Sequence, residues 1–203
     1  MEPQHPTRLA TIGYLTTTAL LLLTILWGAA VIGNAVAGAA SGSYIPPLQI
    51  TTWPGQLAEP LPPGFDLVQH VPIQVTIRQP TPAQLLLSVA IGLLPPLLVA
   101  AVLWLLRGLA RSVRHGDPFG AANVRRLRRL GLLFLLGYPA MVIVSRLLQD
   151  WLVTTLPVLP LGGIGTTLDV ISASALLAGL GMLLLAEVFA HGLRLRDDVE
   201  GTI

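Results

Sequence analysis

The chain has 203 residues, 53% of them hydrophobic and only 11% charged, with a formal net charge of +2 and a mean hydropathy of +0.74. Soluble domains carry roughly 25% charged residues to keep their surface wet, so this composition excludes an ordinary soluble surface and points to a membrane. The lack of cysteine excludes disulfides, thiolate metal sites and a cysteine nucleophile.

No charged residue lies between Arg8 and Glu59. Within that stretch residues 12–37 are apolar enough for a first span, since a bilayer core needs about 20 helical residues. The small residues of "AVAGAASG" suit a signal-peptide cleavage site. A signal h-region runs only roughly 7–15 residues, however, so the span reads as an uncleaved anchor. Ala29, Gly33 and Ala37 form a small-xxx-small stripe that lets helix backbones approach. Asn34 beside it has two readings, a helix–helix hydrogen bond or a water-lined cavity, and the stripe favours the first.

Residues 38–82 form a long connection, proline-rich and too interrupted for a helix. "QITTW" and "LVQHVPIQVTI" are rich in β-branched residues, as strands are. Pro72 makes the second an edge strand or splits it. A small extracytoplasmic β-rich loop is expected, either a connector or a sensing or partner-binding cap. His70 stands alone there, and without a second ligand it is not a metal site.

The second span covers residues 83–106, with Pro95 and Pro96 expected to kink it. Residues 107–129 are the basic segment. Arg107, Arg111 and Arg114 recur at i, i+4, i+7 and share a helix face if the span continues. Gly116 and Pro118 then break the helix, and Asn123 opens a new helical run. Arg125, Arg128 and Arg129 occupy one face of that run, with Val124, Leu127 and Leu130 opposite. This is an amphipathic basic turn at headgroup level, where each Arg near an anionic leaflet contributes about 1 kcal/mol. These six arginines are the candidate contacts for lipid or for a partner protein. Direct nucleic-acid binding is not expected, because no nucleic-acid-binding fold or aromatic interleaving accompanies them.

The third span covers residues 130–151, with a kink expected at Pro139, and the fourth covers 168–190, followed by a tail at 191–203. Arg146, Asp169 and Glu187 are the ionisable residues inside or at the ends of these spans. Arg129 to Arg146 is roughly 26 Å of helix and Asp169 to Glu187 roughly 27 Å. The depths match, so the hairpin is expected to carry one charge pair at each end, Arg146 with Asp169 and Arg129 or Arg125 with Glu187. The alternative is that each charge snorkels to its own interface. Glu187 and His191 share a face, read as an interface-level pair rather than a metal site, and Ala175 and Gly179 are small packing positions. Arginine is concentrated in the 107–129 segment and at both termini, so the positive-inside rule places all three in the cytoplasm of a bacterial cell. The expected architecture is an all-α protein of the cytoplasmic membrane with four spans, forming a single integral membrane domain.

"GDPFGAANVRRLRRLG" and "LLAEVFAHGLRLRDDVEGTI" resemble the bacterial membrane family catalogued as domain of unknown function 2975 (DUF2975, YoaS-like). The first motif is Gly116, Asp117, Pro118, Phe119, Asn123, Arg126, Leu127 and Gly131. The second includes Val188, Phe189 and Gly192, with an acidic tail ending in Thr202 and Ile203. The resemblance covers residues 83–203. Gly120 stands where the family often has a better-capping Ser or Thr, and His191 replaces a usual basic residue. The resemblance implies four spans and an association with a small helix-turn-helix regulator encoded nearby.

No phosphate loop, Ser/His/Asp grouping or metal-ligand cluster is legible, so neither an enzyme nor a bound cofactor is expected. The reading is an integral membrane partner of a cytoplasmic helix-turn-helix transcription regulator, touching anionic inner-leaflet lipids, with homo-oligomerisation an open option. The alternative is a small transporter, a channel-like module or an accessory subunit of a membrane complex, in which Asn34 or Glu187 would matter for flux.

Overall fold

In a computed structural model, the structure describes residues 8–47, 50–52, 71–73, 76–115, 120–156 and 172–200. In chain order these are helix α1 (Arg8–Ser41), strands β1 (Ser43–Tyr44), β2 (Ile50–Thr52), β3 (Val71–Ile73) and β4 (Ile77–Arg78), and helix α2 (Pro82–Arg114). Helix α3 (Ala121–Leu132), a π-helical turn (Leu133–Gly137), α4 (Tyr138–Thr154) and α5 (Ala173–Glu200) follow. Four stretches are long and apolar enough to cross a membrane: Thr11–Ser41, Pro82–Arg114, Ala121–Thr154 and Ala173–Arg194. Large apolar side chains stay uncovered along them, among them Leu26 (63% exposed), Leu97 and Leu184. Such a surface suits lipid rather than water, and the protein is a multi-pass membrane protein.

The helices outrun the apolar stretches. The second span was placed at 83–106, yet α2 continues to Arg114, and the third at 130–151, yet its helix begins at Ala121. Apolar runs mark where lipid surrounds a helix, whereas the backbone hydrogen-bond ladder continues into the headgroup layer. The amphipathic basic turn is therefore one helix with the third span. The fourth helix is described from Ala173, so the expected start at 168 lies outside the described residues.

The hydroxyls of α1 are satisfied locally. Thr16, Thr17, Thr18 and Thr24 each donate Oγ1–H to the carbonyl four residues earlier, at 2.7–2.9 Å, which keeps polar atoms paired where water is scarce. The helix stops at Gly42, whose φ of +69° is the left-handed turn that glycine adopts freely. Tyr44 folds back onto α1. A Cβ on Gly38 would lie 2.6 Å from Tyr44 Cδ2, so only glycine lets the ring settle there.

Two short antiparallel ladders lie in the long connection. Ser43 and Tyr44 pair with Arg78 and Ile77, and Ile50–Thr52 pair with Ile73–Val71. Pro72 sits opposite Thr51 in a two-stranded ladder, where a missing N–H can face outward. These ladders are the described part of the expected β-rich loop; His70 lies outside the described residues.

Helix α2 opens on a capping box. Thr81 N–H donates to Gln84 Oε1 at 2.9 Å, and Gln84 N–H donates to Thr81 Oγ1 at 3.3 Å, with Pro82 in the first helical position, where it needs no N–H donor. The helix continues through Pro95 and Pro96. The π turn ends two residues before Pro139, with Tyr138 N–H bonded to the Leu133 carbonyl. Proline has no N–H and its ring crowds the carbonyl four residues back, so a widened turn there accommodates Pro139 without ending the helix.

Packing divides the chain into two compact units, Met1–Gly28 with Pro95–Val142 and Val170–Ile203, and Ala29–Leu94 with Ile143–Asp169. In the second unit Leu87, Ile91 and Leu152 form the core, with Leu148 against it. Gln84 Nε2 donates to the Thr155 carbonyl at 3.2 Å. In the first, Val124, Leu127 and Ala186 are buried, with Leu109, Met182 and Phe189 packed around them.

Candidate functional site

The surface of α3 divides as its sequence periodicity requires. Val124, Leu127 and Leu130 are buried, while Arg125, Arg128 and Arg129 are exposed. The helix begins at Ala121 rather than at Asn123, and Gly120 is its N-cap, without a side-chain cap hydrogen bond. Asn123 is 1% exposed and accepts a 2.7 Å hydrogen bond from Arg126 Nη1.

Glu187 is paired, but not with Arg129 or Arg125 as the depth match suggested. Arg128 Nη2 reaches Glu187 Oε1 at 2.8 Å. The reason is rotational. Val124, Leu127 and Gly131 face α5, and at about 100° per residue Arg128 is the arginine beside that stripe, while Arg129 points nearly opposite it. Arg128 and Glu187 side chains remain 46% and 65% exposed, so this is a surface ion pair. His191 is exposed. The other expected pair involves Asp169, which lies outside the described residues; Arg146 itself is half-buried.

Asn34 is exposed, and so are Ala29, Gly33 and Ala37; nothing lies within 4 Å of a Cβ built on Gly33. Among the described residues nothing packs on the expected stripe. Ala35 and Gly38 are the buried small residues of α1, one helix face away. Small residues recur on several faces of α1, and spacing alone does not choose among them. In α5 the expected Gly179 is buried and Ala175 half-buried.

Arginines from α2 and α3 converge with α1 on a cleft of about 300 Å³, lined by Tyr14, Trp104, Leu105, Arg107, Gly108, Arg111, Arg126 and Arg129. Arg107 Nη2 donates to Tyr14 Oη at 2.7 Å. The guanidinium carbons of Arg107 and Arg114 both stand 5.0 Å from the centre of the Tyr14 ring, within cation–π range. One ring thus gathers two turns of the expected i, i+4, i+7 face. Arg126 lies over Gly108, where a Cβ would meet its Nε at 2.7 Å. Sequence reasoning missed Tyr14, and it named Arg126 only as a motif residue, without a place in the cleft. Tyr14 was findable as the aromatic residue near the start of α1, within reach of the arginines at the end of α2 once the two helices run antiparallel. Among the described residues no group of three or more His, Asp or Glu is arranged to hold a metal ion.

Some of the positions that carry the resemblance pack α3 on α5. Leu127 and Gly131 are buried on α3, and Phe189 packs on the Val124, Leu127 and Ala186 core. Val188 and Gly192 are exposed, and Gly116–Phe119 lie outside the described residues. The family model described as "Protein of unknown function (DUF2975)" matches residues 49–203 of the 203. The chain belongs to this family. The DUF2975 match extends beyond the 83–203 stretch of the resemblance into the connection that carries β2, β3 and β4. No curated protein and no solved structure matches the chain.

Proposed function

We propose that this DUF2975 protein is a membrane-anchored interaction partner of a cytoplasmic protein of acidic surface, with a helix-turn-helix transcription regulator as the first candidate. The observation that carries the reading is the exposed basic face of α3. Arg125, Arg128 and Arg129 stand outward while the opposite face is buried. Such a face steers an acidic partner and sets its register more than it adds raw affinity. In this reading both chain termini and residues 107–129 are cytoplasmic in a bacterial inner membrane, as the arginine distribution favours. The transporter alternative draws less support. Glu187 is engaged by Arg128, and Asn34 lies on an exposed surface of α1.

Affinity purification of the full chain from native membranes, followed by detection of the product of any adjacent helix-turn-helix gene, tests the proposal. Association is expected, and R125Q/R128Q/R129Q should abolish it. Lack of association in the parent, or association untouched by the triple variant, rejects the reading. Proteoliposome flux that depends on Asn34 or Glu187 would move the protein to the transport class.

A further inference from the structure

Apart from Arg129, the exposed face of α3 stands outside the cleft behind it. Among the described residues that cleft concentrates positive charge without a carboxylate to balance it. Four of its eight described lining residues are arginines, and none is a carboxylate. Arg114 adds a fifth guanidinium beside Tyr14, and its buried Nε has no hydrogen-bond partner among the described residues. Crowded like charges raise the free energy of the site unless an anion joins them. Arg107 is already oriented by Tyr14 and Arg126 by Asn123, yet a guanidinium has five N–H donors and each keeps several to offer. Planar forks of this kind suit phosphate oxygens.

The cleft has an apolar continuation. Leu20, Leu23, Thr24 and Trp27 of α1, with Val99 and Leu103 of α2, line a groove of about 290 Å³. Leu103 precedes Arg107 by four residues and Leu20 follows Tyr14 by six. The groove therefore begins roughly 6–9 Å deeper along the same two helices. Thr24 bonds to its own helix, so the groove presents hydrocarbon. Trp104, 62% exposed, lines the cleft one residue after Leu103 of the groove, and membrane proteins place tryptophan at the membrane–water interface.

From this pairing of basic cleft and apolar groove we infer that the α1–α2–α3 junction is a binding site for one anionic phospholipid, its phosphate held by Arg107, Arg111, Arg126 and Arg129 and an acyl chain in the groove. The cleft sits at the lower end of the roughly 300–1,000 Å³ range of small-ligand sites, adequate for a headgroup. Basic pockets between membrane helices are a recurrent way of holding such lipids. The groove is what selects a lipid over a free phosphate ion. The inference does not rest on the regulator-partner reading, because the cleft arginines and the outward face of α3 overlap only at Arg129.

The test uses the full chain in nanodiscs, with Trp53 and Trp151 replaced by Phe so that Trp104 of the cleft and Trp27 of the groove are the reporters. Phosphatidylglycerol or phosphatidylcholine with brominated acyl chains is titrated over the same range of mole fractions. Tryptophan quenching by the phosphatidylglycerol should saturate at a mole fraction roughly fivefold lower, the factor expected for about one net Arg–phosphate interaction at the leaflet. R107Q/R111Q should bring the two lipids level. R125Q/R194Q removes as much charge outside the cleft and should leave the preference intact. Millimolar inorganic phosphate should not displace the lipid. Equal quenching by the two lipids in the parent protein overturns the site, and that measurement needs no variant in the cleft. Equal losses in the two arginine pairs would show diffuse attraction and also overturn it. Full displacement by inorganic phosphate would assign the cleft to a free anion and overturn the lipid.

Discussion

Gly131 of α3 and Gly179 of α5 meet backbone to backbone. A Cβ on Gly131 would lie 2.9 Å from the Gly179 carbonyl oxygen and 2.6 Å from Leu183 Cγ, and a Cβ on Gly179 would lie 3.0 Å from the Gly131 carbonyl oxygen and from the Leu135 nitrogen. The contact sets how closely the basic helix lies on the last helix, and so where Arg128 finds Glu187. Without a strong hydrophobic drive between helices in lipid, such close approach supplies much of the packing attraction.

G131A and G179A should each destabilise the protein by about 1–3 kcal/mol, the usual range for overpacking. Leu183 can rotate away, but the carbonyls cannot. G33A, where the added methyl meets nothing, is the control and should be neutral or slightly stabilising, because glycine is a poor helix former. Thermal unfolding of the three variants in detergent decides it; identical shifts for G131A and G33A would contradict the close contact.

Gln84 is 5% exposed and holds both the start of α2 and the end of α4. Q84A removes one half of the capping box and leaves the Thr155 carbonyl without its amide donor. A loss of about 1–3 kcal/mol is expected, and about 1 kcal/mol for T81A. Since the two residues share one box, the double variant should lose less than the sum. Additive losses in detergent unfolding would mean that the two do not act together.

The Arg128–Glu187 pair should contribute little by itself. Both side chains are largely exposed, and screened surface pairs are worth about 0.2–1 kcal/mol. E187Q should therefore shift the unfolding midpoint only slightly, and the shift should shrink with added salt. A coupling well above this range in an R128A/E187A double-mutant cycle would show that the pair is buried by lipid or by a partner.

The orientation proposed from arginine placement can be read directly. The chain contains no cysteine, so single cysteines report without background. S43C should react with a membrane-impermeant maleimide in intact spheroplasts, and A121C only after lysis. The reverse pattern would invert the topology and remove the cytoplasmic face from α3.

Burial pushes the Tyr44 phenol above its usual 10.0. The folded protein thus holds this proton more tightly than the unfolded chain does. Its contribution is fully present below pH 10.0 and is lost as pH rises from there through the folded-state value. The difference between spectrophotometric titrations of the parent and Y44F should show a midpoint above 10.0. A midpoint at or below that value would place the ring in water rather than against Gly38.

Much of this was legible in the residues alone. Uncharged runs between Arg8 and Glu59 and between Arg78 and Arg107 mark spans because no charge is easily held in hydrocarbon. The i+3 and i+4 spacing of Arg125, Arg128 and Arg129 sets them on one face because a helix turns about 100° per residue. The capping box at Thr81–Gln84 was equally legible, and its missed signal was the Thr-Pro-x-Gln spacing ahead of an apolar run.

Tertiary structure alone decided which of several equivalent candidates makes each contact. Depth along a helix left Arg125 and Arg129 as partners for Glu187, whereas rotation about the helix axis selected Arg128. Small-residue spacing offered Gly33, whereas α1 packs through Ala35 and Gly38. Tyr14 joined Arg107 and Arg114 across more than ninety positions of chain. Local pattern determines where a helix runs and which of its faces is polar. The azimuth at which two helices dock depends on shape complementarity between residues far apart in sequence, and no periodicity within one segment encodes that.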